Sequence, residues 1–479
     1  MIKVIARKEL LELWRDGRFR WAAGTIVLLL LISLGSGWRH YRRVSTEHQA
    51  VRQSERARWL NQGAHHPHTA AHYGTYVFKP LQPLSVVDSG ITPYVGVTAH
   101  LEAHQRNIFQ YKPAEDAPAV RRFGELTAAM TLQMLIPLLL ILLLFTAFVG
   151  EREQGTLRLL LSLGVARRDI ALGKIAGLIL PLLLLLLPVS ALGAVALWLN
   201  SGALTMGLSW GRLAVMLLGY LAYFGIVMGL TLGVSAWANS TRQALVVLLG
   251  FWFVNCLAAP QAVTDLAAYL SPTPSSLEFV SALRAELQQQ KQIGELTAEH
   301  RARLIKEYGV KSADELPLSP DGLALVENEE VGDRIQERHF KELWDIYERQ
   351  DRFYQAGSLL APMLAVQSLS MGLAGTDLPQ QRHFVEAAEM YRQDLVQSLN
   401  RYVVDHDTVA NRTQHPYVKS LKIFLADQGL WARAKPFEYN PPGLFWVLRR
   451  RWVNLALLLF WLVSVTWLAR RAIARVEMS

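Results

Sequence analysis

Residues 128–150 read AAMTLQMLIPLLLILLLFTAFVG, a run without a single Asp, Glu, Lys or Arg. About twenty mostly apolar residues are needed for a helix to cross the hydrocarbon core of a bilayer, where every backbone N–H and C=O must be satisfied internally. This run meets that length. Working outward, five more runs of the same kind occupy 21–38, 175–199, 213–237, 244–261 and 452–468, again with no Asp, Glu, Lys or Arg. The expected fold class is therefore an all-α integral membrane protein with six transmembrane helices.

Composition agrees. The 479 residues are 51% hydrophobic and only 19% charged, too apolar for an ordinary soluble enzyme of this length. The net charge of +9 comes from cations placed beside the apolar runs, where they answer to lipid head groups and insertion polarity. No basic face is interleaved with stacking aromatics, which argues against nucleic acid as a partner. The sole cysteine, Cys256, lies inside an apolar run, so neither an intramolecular disulfide nor a multi-cysteine metal site is available. The first run follows a long basic stretch and precedes no small-residue cleavage site, so it reads as an uncleaved helix.

Orientation follows from Lys and Arg at the span ends. One group is Lys3, Arg7, Lys8, Arg15, Arg18 and Arg20; the others are Arg152, Arg158, Arg167, Arg168 and Lys174, then Arg242, then Arg470, Arg471 and Arg475. Six spans place all of them on one side, the cytoplasm of a bacterial cell, with both termini and the tail 469–479 inside and the protein in the inner membrane. Arg39, Arg42 and Arg43 after the first span, and Arg449, Arg450 and Arg451 before the sixth, oppose the trend. Segments 39–124 and 262–440 then lie outside and can build one extracytoplasmic domain. The second reads as amphipathic helices; the first, with YGTYVFKPLQPLSVVDSG at 73–90, predicts loops and a few short strands. The apolar stretch 357–375, interrupted by Pro362 and Gln367, reads as a buried helix of that domain.

Two stretches on the cytoplasmic side carry motifs. Residues 1–20 place Ile2, Ala6, Leu10, Leu13 and Trp14 on one helical face, predicting an amphipathic helix in the membrane interface. Residues 151–177, EREQGTLRLLLSLGVARRDIALGKIAG, put Leu157, Leu160 and Leu161 on one face of a short helix broken at Gly155 and Gly164. A short amphipathic helix between two spans suits docking into a partner's groove.

This loop resembles the one after the second helix of ABC-2-type exporter permeases, in which Glu-x-x-x-Gly-Thr-Leu begins a coupling helix and a Gly-Lys pair opens the next span. The matching positions are Glu151, Gly155, Thr156, Leu157, Gly173 and Lys174. The segments AAHYGTYVFKP, LSVVDSG and LEAHQRN are similar to the branch of that family near the multicopper-enzyme maturation permeases, which carries large insertions outside the membrane. The resemblance implies a cytosolic ATPase partner holding ATP and Mg²⁺, a second permease copy or homologue, and ATPase coupling through these residues together with Arg158, Leu160 and Leu161. It implies machinery and leaves the cargo open.

Other features weigh on mechanism. Gly225, Gly229 and Gly233 recur every fourth residue, a strip for close packing by a helix of this chain or of a second copy. Pro137, Pro181 and Pro188 remove backbone donors, so kinks are expected. Spans without ionisable residues cannot run proton coupling by buried carboxylates, so energy must arrive from elsewhere. The chain has no phosphate-binding loop: at the one Gly-Lys near that pattern, Gly173-Lys174, Arg168 stands where the leading Gly belongs and Ile175 where Ser or Thr must bind Mg²⁺. No hydrolase motif appears, so an enzyme is not expected. His65, His66, His68, His72, His100 and His104 crowd the first outer segment and are weak candidates for Zn²⁺ or Cu²⁺, with His100 and His104 spaced to share a helix face. They keep an alternative open, a membrane-anchored sensor or scaffold that binds metal or protein and moves nothing.

Overall fold

The computed structural model describes residues 1–15, 17–106, 126–200, 203–414 and 422–475; the side chains of Arg18 and of several positions within 184–208 lie outside that description. Helix α1 (Ile2–Arg15) precedes α2 (Gly17–Leu60), which contains the first apolar run and does not stop at its end. The expectation of loop from residue 39 is thus corrected. Residues 39–60 hold no Gly or Pro and are rich in Arg, Glu, Gln and Ala, so nothing ends the helix before Gly63 in the left-handed region at φ 85°.

After α2 come α3 (Pro67–Tyr73) and a two-stranded antiparallel ribbon, β1 (Thr75–Phe78) with β2 (Thr98–Leu101), in register from Thr75↔Leu101 to Phe78↔Thr98. The rest of the first expected outer segment, 107–124, lies outside the described residues. The second apolar run forms a π turn (Thr131–Leu135) and α4 (Ile136–Leu144), then breaks, and resumes as α5 (Val149–Glu153) and α6 (Thr156–Ser162). At the break, the Ser235 hydroxyl accepts from the amides of Phe148 and Val149 at 3.0 and 3.3 Å, satisfying donors that would otherwise be orphaned in an apolar setting.

Next are α7 (Arg167–Asn200), unbroken at Pro181 and Pro188, α8 (Ala203–Trp237), and α9 (Thr241–Phe253) joined through a π turn (Val254–Ala258) to α10 (Ala259–Leu270). The inserted helices are α11 (Ser276–Leu287), α12 (Ile293–Tyr308), α13 (Pro320–Gly357), α14 (Pro362–Ala374), α15 (Leu378–His406) and α16 (Gln428–Arg433), and the chain closes with α17 (Leu444–Ala474). Among the described residues, five helical stretches are long and apolar enough to cross a membrane: Phe19–Leu60, Ala128–Glu153, Ser209–Trp237, Thr241–Leu270 and Leu444–Ala474. The expected third span falls within α7, part of whose side chains are outside the description.

The two inserted segments fold as one unit. Trp59 and Ala70 from the first share a core with Leu395, Leu399 and Trp431 from the second, and the Trp59 indole donates to the Trp431 carbonyl at 3.0 Å. Between α8 and α17 runs the glycine seam: a Cβ at Gly225, Gly229 or Gly233 would stand 3.2, 3.0 and 3.2 Å from Leu462, Val465 and Ala469. The strip is therefore filled from within the chain.

Arg451 is buried in α17 between Asp377 at 2.7 Å and Asp351 at 3.1 Å. Its charge is answered by these two carboxylates. Within 357–375, Gly357 ends α13, Leu359 and Leu360 lie exposed in the turn, and the 13 residues of α14 are nearly all buried, packed against α8 and α17.

Candidate coupling site

The loop 151–166 turns on two glycines. Gly155 at φ 74° and Gly164 at φ 80° adopt the left-handed conformation, which lets α5 end, α6 form and the chain turn into α7 without strain on a Cβ. The Thr156 hydroxyl donates to the Glu151 carbonyl at 3.2 Å, tying α6 back to α5. Leu157 is 2% exposed and packs into the main hydrophobic core, with Leu160 and Leu161 partly buried against it. The leucine face expected to meet a partner thus meets the chain's own bundle. Residues turned away from the bundle are Arg158, Leu159, Ser162 and Leu163, with Leu159 at 59% and Leu163 at 71% exposure.

Glu151 and Lys174 come together. The Lys174 ammonium, on a side chain only 4% exposed, donates to Glu9 at 2.6 Å and to Glu151 at 3.0 Å, and Lys8 reaches Glu151 at 3.1 Å. Four charges from α1, α5 and α7 form one alternating cluster. It is possible because α1 lies directly on α7. A Cβ at Gly173 would stand 2.6 Å from Ile5, and one at Gly177 would stand 2.8 Å from the Glu9 side chain and 2.9 Å from the Ala6 carbonyl. Ile2, Ala6, Leu10 and Leu13, expected to face lipid, are partly buried; Val4, Leu11 and Trp14 are the apolar residues left exposed. Helix α1 therefore packs on α7 at these small residues, with one apolar edge left exposed.

The same loop is anchored on its other flank. Arg152 donates to the carbonyls of Ala238 and Ala236 at 2.8 and 3.0 Å, and Glu153 accepts from the amide and hydroxyl of Thr241 at 2.8 and 3.0 Å. The turn between α8 and α9 is thereby fixed to α5. Glu9 carried no signal in the sequence, and Arg152 was legible only as a cation that sets orientation, not as an anchor. Gly177 had a readable signal, its spacing of four from Gly173.

At the opposite end of the bundle a cavity of about 1130 Å³ opens between the inserted domain and the helices, lined by Asp88, Gln133, Cys256, Trp344, Tyr354 and Met363 among others. A hydrogen-bond chain runs beside it. Ser370 donates to Asp88 at 2.6 Å and lies 3.0 Å from the Tyr220 hydroxyl; the Gln133 amide donates to Tyr220 at 3.0 Å, Tyr223 donates to the Gln133 carbonyl at 3.0 Å, and Asn255 donates to Tyr223 at 2.9 Å. Gln133 and Asn255 sit in the two π turns, which aim them inward. Burial pushes the Asp88 carboxyl up to about 6, against the hydrogen bonds from Ser370 and Gly90.

The histidines separate. His65 pairs by backbone with Ala426, His66 lies 4.0 Å from Asp407, and His100 of β2 sets its ring at a tilt against Tyr76 of β1. His100 and His104 therefore share no helix face: residues 98–101 are strand, and His104 follows in a turn at φ 68°. His68, His72 and His104 converge, with ring centroids 4.8, 4.9 and 5.0 Å apart.

Glu151, Gly155, Thr156, Leu157, Gly173 and Lys174 are thus set in one compact assembly where the resemblance places the link to an ATPase. The family model described as ABC-2 family transporter protein matches residues 3–312, which span α1, the loop and the helices through α12. The chain belongs to this family. It is an ABC-2 permease, the membrane component of a transporter, and membership implies an ATPase partner. A second model, described as a domain of unknown function, matches residues 276–440, the second inserted segment. No curated protein matches the permease.

Proposed function

We propose that this ABC-2 permease is the membrane-spanning subunit of an ATP-driven exporter of the bacterial inner membrane. Each copy contributes six spans, α7 carrying the third, with both termini and α6 in the cytoplasm and the inserted domain outside. Two copies, or one copy and a homologue, sit on two ATPase subunits that hold ATP and Mg²⁺. Closure of the ATPases presses on the exposed Leu159 and Leu163 face of α6. The push passes through Glu151 and Lys174 to α1 and α7, and through Arg152 and Glu153 to the α8–α9 turn, and so to the helices below the large cavity.

The observation that supports this most is the double anchoring of α5, by the Lys174–Glu151–Lys8 cluster on one flank and by Arg152 and Glu153 on the other. A force applied at α6 and carried into α5 then reaches α1, α7, α8 and α9 through these side-chain contacts. The test is Leu159→Asp with Leu163→Asp in the whole complex. Loss of ATPase copurification with normal insertion supports the reading; undiminished copurification and transport overturn it.

The histidine triad favours a second reading, a sensor or scaffold without transport. Metal bound by a chain that never assembles with an ATPase would select it.

A further inference from the structure

His68 and His72 lie four residues apart on α3, so both rings leave the same side of that helix. His104 comes to meet them from the turn after β2. Its backbone is held from both sides: its amide donates to Glu329 at 2.9 Å and its carbonyl accepts from Gln336 at 3.1 Å, which sustains a left-handed conformation unusual for a residue with a Cβ. Such strain is retained where the surroundings over-determine it, and here it aims one imidazole at two others.

The far sides of two of the rings are also occupied. His68 Nδ1 lies 2.9 Å from Asn400 Oδ1, and His104 Nδ1 lies 2.7 Å from Glu329 Oε2. Glu329 is in turn paired with the fully buried Arg392 at 2.8 Å. The Asn400 oxygen favours a proton on His68 Nδ1, and the Glu329 carboxylate beside His104 Nδ1 favours the same tautomer there, the one that leaves the lone pair on Nε2. The two Nε2 atoms then face each other 3.1 Å apart, two acceptors that repel unless a proton or a cation lies between them. In a tetrahedral site with bonds of about 2.0–2.1 Å, neighbouring nitrogens stand roughly 3.3–3.4 Å apart, so this pair is already near the bite of an ion. One ligating nitrogen from each of the three histidines lies within 4.8 Å of the others, and exposed His72 needs only a side-chain rotation to complete the set.

We propose that His68, His72 and His104 bind one Zn²⁺ ion, with a fourth position open to water or to an incoming donor. A carboxylate and an amide oxygen behind the ligands are the outer shell that orients metal-binding imidazoles. The ion clamps α3 to the turn after β2 within the first inserted segment, while Asn400 of α15 and Glu329 of α13 stand behind His68 and His104 from the second. All-nitrogen ligation suits Zn²⁺, and Cu²⁺ is its competitor. The site stands independently of the exporter reading.

The experiment uses the full-length protein in detergent, stripped with chelator and titrated by calorimetry with Zn²⁺ and, separately, Cu²⁺. One Zn²⁺ per chain is expected, with His65→Ala unchanged and His72→Ala weakened about 100-fold; Glu329→Gln, which removes the carboxylate behind His104, is expected to weaken binding about 10-fold. His72 is exposed, so its replacement leaves the fold intact. Absence of saturable Zn²⁺ binding, binding of Cu²⁺ without Zn²⁺, or Zn²⁺ binding that survives His72→Ala with full strength would each overturn the proposal.

Discussion

Replacing Lys174 by Met removes one buried cation while keeping most of the aliphatic stem, and the structure sets the size of the effect. Lys174 bridges Glu9 at 2.6 Å and Glu151 at 3.0 Å, whose side chains are only 18% and 11% exposed. The variant leaves two half-buried carboxylates facing each other with Lys8 alone, 48% exposed, to offset them. Breaking a buried pair by deleting one partner costs about 3–5 kcal/mol. Because solvent reaches this cluster through Lys8, the lower end, roughly 3 kcal/mol, is the expected local cost. At about 1.4 kcal/mol per factor of ten, opening of α1 from α7 should become about 100-fold more frequent. Amide hydrogen exchange on the detergent-purified permease reads this directly. Amides of α1 should exchange about 100-fold faster, while those of α13 and α15 in the inserted domain stay as in the parent. Acceleration of less than about 3-fold in α1, or equal acceleration throughout, would refute the reasoning that the cluster holds α1 in place.

Gly177→Leu drives a side chain into the Ala6 carbonyl at 2.9 Å and should dislodge α1 and uncouple ATP hydrolysis from transport, read as ATPase activity without cargo movement; normal coupling would contradict it. Tyr220→Phe removes the hydroxyl that accepts from Gln133 and meets Ser370, and is expected to lower stability by about 1–3 kcal/mol in thermal unfolding. Asp88 gives a pH prediction. Its folded carboxyl titrates at about 6, above its ordinary 3.8, so its contribution to stability is full below pH 3.8 and is lost as pH rises through 6. Asp88→Asn should therefore be more stable than the parent above pH 6, by up to about 3 kcal/mol, and should flatten the pH dependence between those values; a parallel pH profile would dismiss the idea.

Much of the bundle was legible because lipid imposes a simple rule, long apolar runs without charge, and 128–150, 213–237 and 452–468 obey it plainly. The glycine strip at Gly225, Gly229 and Gly233 was legible as a packing face, but its partner was not, since any helix with a suitable ridge fits such a strip; the structure supplies α17. The short helix after the second run was legible, but not which of its leucines the bundle buries: Leu157 is buried, and Leu159 and Leu163 are exposed. Leucines at 157, 159, 160, 161 and 163 nearly encircle a seven-residue helix, so periodicity cannot say which side the bundle takes. The ion cluster was hidden because Lys8, Glu9, Glu151 and Lys174 come from three separate elements, and spacing along the chain carries no trace of their meeting. The spacing of four between His68 and His72 went unread in favour of His100 and His104, which are split between strand and turn, and Glu329 and Asn400 reach the triad from the other inserted segment, more than two hundred residues away.

The central claim is that force enters through α6 from a cytosolic ATPase. A photo-crosslinking amino acid at position 163, expressed in the native host and irradiated in intact cells, tests it most directly. A single major adduct is expected, with the mass and peptides of an ATP-binding-cassette ATPase, formed from the cytoplasmic side. An adduct with a protein outside the membrane, or quenching by an impermeant reagent added to intact cells, would contradict it.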